Sequence, residues 1–191
     1  MVKAPLIAGI ILNMQHSVDI WLPASKEQLA RLTPGEAVRL FGTIYTMRDV
    51  GHQRCLAALR EEGQLPFGLA GQALFYAGPT PPKAGRPFGA IGPTTSARMD
   101  AATPALLEAG ITLTLGKGRR SEEVAQACAA TGSVYLIAVG GAAAYLGGFV
   151  EASELIAWED LGPEALYRLT LGGLPAFVGI DSRGNRIENQ E

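Results

Sequence analysis

Short apolar segments alternate with helical segments along this chain, and that alternation limits its fold more than any other feature. Residues 134–139 are uncharged and rich in apolar side chains, which is typical of a strand buried on both faces of a sheet. Residues 48–62 carry apolar positions on one helical face and are followed by glycine. Similar signals predict a helix over residues 95–109 and a last strand over residues 176–180. Such alternation predicts an α/β domain with a mixed or parallel sheet and flanking helices.

The length and composition predict one folded domain, because 48% of the 191 residues are hydrophobic and 18% are charged. We expect this domain to span residues 16–191 and residues 1–15 to form an N-terminal extension. The apolar run 6–12 is followed by no small-residue cleavage site, so a cytoplasmic protein is expected. The uncharged segment 134–150 is glycine-rich and shorter than the ~20 residues that a spanning helix needs. We therefore expect no membrane partner.

Charge and cysteine content exclude several other classes. The net charge is -2, from 16 basic and 18 acidic residues, so nucleic acid is not an expected partner. Cys55 and Cys128 are too few for a disulfide framework, and neither belongs to a Cys-x-x-Cys pair. They are also too few to hold an iron–sulfur cluster by the usual thiolate ligation. His16 and His52 show no metal-ligand spacing.

Three segments place glycine or hydroxyl residues between a strand and a helix start, where backbone N–H groups and the helix dipole favour an anion. The first contains Arg48 and Asp49. An arginine at this position can hold a carboxylate through two parallel hydrogen bonds, and Asp49 can exchange a proton if its surroundings tune it. The ordinary interpretation, that Asp49 is an N-cap and Arg48 a surface side chain, is the simpler one from these residues alone.

The second segment contains three consecutive hydroxyl residues, Thr94, Thr95 and Ser96, followed by Arg98. Helix starts normally prefer acidic residues, so an arginine there is better explained by a nearby anion. Ordinary capping by Thr94 or Thr95, with Arg98 in solvent, explains the pattern equally well. The residues by themselves do not decide between the two.

The third segment has Lys117 between two glycines, followed by Arg119 and Arg120. It is not a phosphate-binding P-loop, because the required spacing is absent and Gly118 replaces the metal-binding hydroxyl. We interpret Arg119 and Arg120 as solvated turn residues. Lys117, which follows a buried strand, is the predicted anion-binding residue of this segment.

Together, the segments 42–52, 76–81, 92–100 and 116–118 resemble the β subunit of class I fumarases and L-tartrate dehydratases. The same region resembles the C-terminal domain of single-chain class I fumarases. The Gly-Pro-Thr-Thr-Ser-Ala-Arg-Met-Asp run at 92–100 is the specific part, whereas a Gly-Lys-Gly turn alone is weak. The resemblance covers about residues 18–180.

This resemblance implies a swivelling β/β/α-type domain that closes over a cluster-bearing α subunit, in a hetero-oligomer such as α2β2. A [4Fe–4S] cluster on that α subunit supplies a Lewis-acidic iron, and this chain alone binds none. The implied reaction is reversible hydration of a C4 dicarboxylate, with fumarate to malate as the main expectation. L-tartrate dehydration and a non-catalytic dicarboxylate-binding module are the alternatives.

The resemblance also implies roles for individual residues. Thr94 matches a proposed proton-transfer group of such enzymes, but a threonine hydroxyl is a weak base unless it is activated. We therefore predict Asp49 as the first acid/base candidate and Thr94 as the second. The residues implied to bind substrate, three cations and one hydroxyl, are Arg48, Thr95, Arg98 and Lys117.

Overall fold

The computed structural model describes residues 17–80 and 89–187. The strands are β1 (Val18–Leu22), β2 (Ala37–Thr46), β3 (Ala73–Phe75), β4 (Ala77–Pro79), β5 (Ile91–Pro93), β6 (Leu113–Gly116), β7 (Val134–Ile137), β8 (Val150–Ala157) and β9 (Leu166–Ile180). The α-helices are α1 (Lys26–Leu29), α2 (Asp49–Glu62), α3 (Thr103–Glu108), α4 (Glu122–Thr131) and α5 (Ala143–Gly147), and the 3-10 helices are Pro66–Gly68, Ser96–Met99 and Glu159–Glu164. The predicted N-terminal extension, residues 1–15, lies outside the described residues.

The centre of the fold is a mixed sheet in which five strands, β1, β2, β3, β6 and β7, run parallel to one another. β2 pairs with β3, β3 with β6, and β6 with β7, all in parallel. β9 runs antiparallel to both β7 and β2. The sheet therefore closes on itself, because β2, β3, β6, β7 and β9 each pair with two others of this set. β1 adds to β2 in parallel and β8 adds to β9 in antiparallel. The predicted α/β class with a mixed sheet and flanking helices is therefore confirmed.

Alternate side chains of the central strands enter two different apolar clusters, as the two-residue period of a strand requires. Phe75 and Leu136 belong to the first cluster, whereas their neighbours Leu74 and Tyr135 belong to the second. Both faces of β3 and β7 are therefore buried, which explains why residues 134–139 contain no charge. The helices α2, α3 and α4 complete the second cluster with Cys55, Leu106, Leu107, Val124 and Cys128.

Two predicted elements differ from the structure. The helix expected over 95–109 is wrong in its first half, where Ser96–Met99 is a 3-10 helix and α3 begins only at Thr103. Pro104 lacks a backbone N–H and favours the first turn of a helix, so it starts α3 instead of continuing a longer one. The last strand, expected at 176–180, is the 15-residue strand β9, which starts at Leu166.

Within the described parts of the chain, every helix is too short or too polar to cross a membrane. The uncharged segment 134–150 forms β7, a turn and α5, with β8 starting at its last residue. β7 agrees with the buried strand expected at residues 134–139.

Candidate functional site

The parallel strands bring the predicted site residues to one edge of the sheet. β2 ends at Thr46, just before Arg48 and Asp49, and β6 ends at Gly116, just before Lys117. β3 and β7 end at the same edge, because all four strands run in the same direction. Loops after the carboxyl ends of parallel strands are where α/β proteins commonly bind ligands.

The hydroxyl segment is inserted between two of these loops by backbone hydrogen bonds. The Thr94 N–H donates to the Tyr76 carbonyl at 2.7 Å, and the Lys117 N–H donates to the Thr94 carbonyl at 3.3 Å. The Ser96 N–H donates to the Lys117 carbonyl at 3.0 Å, and Thr95 forms a parallel bridge with Lys117. The second and third predicted segments are thus joined directly.

Gly116 is required by this close approach. A Cβ at position 116 would collide with Ser96 Oγ and would lie 3.1 Å from Tyr76 Cδ2. A larger residue would therefore push the hydroxyl segment away from Lys117. The first glycine of the Gly-Lys-Gly turn thus has a packing role, whatever Lys117 binds.

Asp49 and Arg98 form a fork that joins the first and second segments. Arg98 Nε donates to Asp49 Oδ1 at 2.9 Å, and Arg98 Nη2 donates to Asp49 Oδ2 at 2.7 Å. Asp49 lies in the first turn of α2, and the N-cap position belongs to Arg48. The interpretation of Asp49 as a plain N-cap is therefore wrong. Thr95 is the N-cap residue of the 3-10 helix that follows it, but its side chain makes no capping hydrogen bond.

Arg48 contacts a different carboxylate. Its Nη2 lies 3.1 Å from Glu164 Oε1, in an ion pair whose side chains are 24% and 26% exposed. Its Nε is buried and has no hydrogen-bond partner within residues 17–80 and 89–187. No sequence pattern indicates Glu164, because it lies in the connection between β8 and β9, which is not predicted.

Arg120 contradicts the prediction of a solvated turn residue, because its side chain is 0% exposed. Its Nε donates to Asp100 Oδ1 and its Nη2 donates to Thr103 Oγ1, both at 2.6 Å. The guanidinium carbon lies 5.1 Å from the centroid of the Tyr76 ring and 4.9 Å from that of Tyr135. Burial opposes the charge, yet the Tyr76 and Asp100 groups raise the pKa of Arg120 above its usual value.

The same buried network continues to the backbone of the site. The Tyr135 hydroxyl donates to the Gly118 carbonyl at 2.8 Å and contacts Ser96 Oγ at 3.0 Å. Burial raises the pKa of Tyr135 to about 12, so its hydroxyl keeps its proton and remains a donor. Asp100 Oδ2 accepts the Ser121 N–H at 2.7 Å. The loops on both sides of Lys117 are therefore tied to one buried cation.

His52 is buried beneath Arg48 and Asp49, with 2% of its surface exposed. Its Nδ1 lies 2.8 Å from the Arg48 carbonyl, which can only accept, so the proton is on Nδ1. The ring packs edge-on against Tyr76, with centroids 5.1 Å apart. Burial lowers the pKa of His52 to about 4, because the Arg48 carbonyl and Asp49 favour the charged ring less than burial and Arg120 oppose it.

We expect His52 to make the stability depend on pH. Its native pKa of about 4 lies below the ordinary 6.5, so the unfolded chain binds more protons between these values and stability falls on acidification. Lowering the pH from about 7 to about 5 should cost about 2 kcal/mol of unfolding free energy through this residue. Urea unfolding at both pH values should show that acidification lowers the unfolding free energy of His52→Gln less than that of the wild type. The difference between the two proteins should equal that amount. An equal loss in both proteins would contradict the assignment.

The cysteines do not fit the thiolate ligands of an iron–sulfur cluster. Cys55 and Cys128 are both buried in the second apolar cluster. Burial raises the pKa of each thiol to about 12, so both stay protonated. Among residues 17–80 and 89–187, no group of three His, Cys, Asp or Glu side chains is arranged to hold a metal ion.

Comparison with known proteins supports the resemblance seen in the motifs. The family model described as Fumarase C-terminus matches residues 8–191. The anaerobic class I fumarate hydratase of Escherichia coli is 35% identical over 178 residues, which are 91% of this chain and 32% of that enzyme. Fumarate hydratase 2 of Leishmania major is 34% identical over 172 residues, which are 88% of this chain and 30% of that enzyme.

A subunit-sized relative covers nearly the same length. The putative L(+)-tartrate dehydratase subunit beta of Methanocaldococcus jannaschii is 35% identical over 169 residues, which are 85% of this chain and 87% of that subunit. The chain thus spans about a third of the fumarate hydratases that it matches. Because the family match and this relative each extend over most of the sequence, the chain belongs to the Fumarase C-terminus family.

Proposed function

We propose that this chain is the β subunit of an iron–sulfur hydro-lyase that reversibly adds water to a C4 dicarboxylate, with fumarate and malate as the substrate pair. The observation that carries the proposal is the fork between Asp49 and Arg98, on the same segment whose Thr94 and Thr95 are joined to Lys117 by backbone contacts. The names of the relatives, fumarate hydratase and L(+)-tartrate dehydratase subunit beta, support the same reaction class.

The charges at this edge suit a dicarboxylate. Arg48, Arg98 and Lys117 supply three cations, and two carboxylates of the chain, those of Asp49 and Glu164, offset part of that charge. The fork uses Nε and Nη2 of Arg98, and half of the side chain is exposed. We assign the Nη1 edge of Arg98, Lys117 and the Arg48 guanidinium to the two substrate carboxylates, and the Thr95 hydroxyl to a substrate oxygen.

Asp49 and Thr94 are the proposed proton carriers. Both oxygens of Asp49 accept from Arg98, so protonation of Asp49 weakens that fork and couples proton movement to the position of Arg98. The Thr94 carbonyl accepts from the Lys117 N–H, so the backbone that carries the Thr94 hydroxyl is joined to the Lys117 loop. We keep Asp49 as the first candidate and Thr94 as the second, because a carboxylate needs less activation than a hydroxyl.

In this proposal the cluster belongs to a partner α subunit, because Cys55 and Cys128 do not fit as thiolate ligands. When bound there, a [4Fe–4S] cluster supplies a Lewis-acidic iron for a substrate oxygen. The residues of this chain bind the carboxylates, orient the substrate and exclude water when the two subunits close. We further propose a swivelling domain of the β/β/α type in a cytoplasmic hetero-oligomer such as α2β2.

L-tartrate is the second candidate substrate. The match to 87% of a putative L(+)-tartrate dehydratase subunit beta favours it. Tartrate carries more hydroxyl groups than malate, so its site needs an additional polar partner. Thr95, which is exposed at the site edge, is our candidate for that contact.

The test is anaerobic co-expression of this chain with a candidate cluster-bearing α subunit, followed by ultraviolet assays with malate, fumarate and L-tartrate. We expect a brown complex that turns over one of them, whereas the chain purified alone is colourless and inactive. A brown complex without turnover would keep the family and reject these substrates. If no complex forms, a non-catalytic dicarboxylate-binding module becomes the better explanation, and brown absorbance in the chain alone would contradict the subunit assignment.

A further inference from the structure

Residues 158–164, between β8 and β9, lie across the start of α2, and we call them the strap. Their last residue, Glu164, contacts Arg48, one of the proposed substrate-binding cations. We infer that Glu164 is a positioning residue that holds the Arg48 guanidinium ready for a substrate carboxylate. This inference rests on the proposed function and deepens it, since it adds a residue that no motif indicates.

The strap is attached to α2 by contacts that are independent of Glu164. Arg54 donates from Nη1 to Asp160 Oδ1 at 3.0 Å and from Nη2 to Asp160 Oδ2 at 2.5 Å. The Arg54 guanidinium carbon also lies 5.7 Å from the centroid of the Trp158 ring. A Cβ at Gly51 would lie 3.2 Å from Trp158 Cζ3, so the ring is packed closely on the helix. The end of the strap therefore has a defined place relative to Arg48.

Gly78 also defines the position of the end of the strap relative to Arg48. A Cβ at position 78 would lie 2.6 Å from the Pro163 carbonyl oxygen and 3.3 Å from Arg48 Nη1. Only glycine allows the strap and Arg48 to approach the backbone of β4 so closely. The glycine of the Tyr76-Ala77-Gly78-Pro79 segment thus has a physical role, which is to admit the pair formed by Glu164 and Arg48.

The geometry of the pair suits positioning. The contact joins one nitrogen, Nη2, to one oxygen, Oε1, at 3.1 Å, whereas the pair of Arg98 and Asp49 is a full fork. Glu164 therefore restrains the Arg48 guanidinium without occupying both of its hydrogen-bonding edges. A long side chain that is already ordered loses less conformational entropy when the substrate binds. Both side chains are partly exposed, so a substrate carboxylate can reach the pair from solvent.

The experiment compares Glu164→Ala and Glu164→Gln in the assembled complex with its cluster loaded. Because Glu164 acts on binding and not on chemistry, Glu164→Ala should raise KM about tenfold and change kcat by less than about twofold. Glu164→Gln keeps an oxygen that can accept from Arg48, so its KM should rise by about threefold. In an Arg48→Met background the additional effect of Glu164→Ala should vanish, because Glu164 is proposed to act only through Arg48.

The matched control is Glu154→Gln, because Glu154 pairs with Arg168 on the same β8–β9 hairpin, outside the strap. It should leave KM and kcat unchanged. Gly78→Ala should reproduce the rise in KM, since it displaces the strap. A KM that falls in Glu164→Gln would show that Glu164 competes with the substrate, and this would overturn the inference. Additive effects of the Glu164 and Arg48 changes would overturn it as well.

If the proposed function is wrong, the wild-type complex will turn over none of the substrates, which distinguishes this failure from failure of the inference about Glu164. In that case the pair of Glu164 and Arg48 is tested by calorimetric titration of the complex with malate. Weaker binding in Glu164→Ala, absent in the Arg48→Met background, would support positioning without catalysis. Equal binding in the wild type and Glu164→Ala, or no malate binding by the wild type, would overturn the inference.

Discussion

Arg98→Ala in the assembled complex is expected to lower kcat/KM by about a hundredfold to a thousandfold, while the chain remains folded. Arg98 is proposed to hold a substrate carboxylate, and its Nε and Nη2 hold Asp49, the first acid/base candidate. The substitution therefore removes a substrate contact and releases the proton carrier together. Its side chain is 50% exposed, so the unfolding free energy should change by less than about 1 kcal/mol.

The chain contains a close match for a control. Arg39 forms the same kind of fork with Asp19, with Nε to Oδ1 at 2.7 Å and Nη2 to Oδ2 at 2.9 Å, on the β1–β2 pair. Arg39→Ala should leave turnover unchanged, which separates loss of the site from loss of any exposed ion pair. Arg98→Lys keeps the charge but loses the fork, so it should recover only a small part of the activity. Near-normal turnover in Arg98→Ala would remove this residue from the site.

Arg120→Met is expected to destabilise the chain by about 3 to 5 kcal/mol. The guanidinium is fully buried between the Tyr76 and Tyr135 rings, and its loss leaves the Asp100 carboxylate, only 15% exposed, without its cation. Thr103 also loses a hydrogen bond at 2.6 Å. Urea unfolding of the full chain measures the change directly.

Two further variants test the cause of that loss. Adding Asp100→Asn to Arg120→Met should recover part of the stability, because the uncompensated charge is removed. Arg119→Met changes the neighbouring exposed arginine and should alter the unfolding free energy by less than about 1 kcal/mol. If Arg120→Met also altered the unfolding free energy by no more than this, the buried cation would contribute little to stability. Greater destabilisation in the double variant than in the single one would contradict the electrostatic explanation.

Several elements of the fold were predictable because their signals are local. The helix predicted over 48–62 begins at Asp49 and ends at Glu62, since apolar spacing and the following glycine are properties of adjacent residues. The uncharged run at 134–139 correctly indicates a strand buried on both faces, because burial selects composition directly. The segments 42–52, 76–81, 92–100 and 116–118 together were sufficient to identify the family, which the match over residues 8–191 confirms.

The composition, the alternation of apolar and helical segments, and the motifs by themselves determined the α/β class, the family and the set of candidate site residues. Only the tertiary structure decided which charged residues meet. Asp49 and Arg98 are 49 positions apart, and Asp100 and Arg120 are 20 apart, so each contact depends on strand order and not on local spacing. A charged residue in a basic turn has the same sequence pattern whether it is solvated or buried, because burial is set by what packs above it. Arg120 is buried because Tyr76 and Tyr135, from two other strand regions, enclose it.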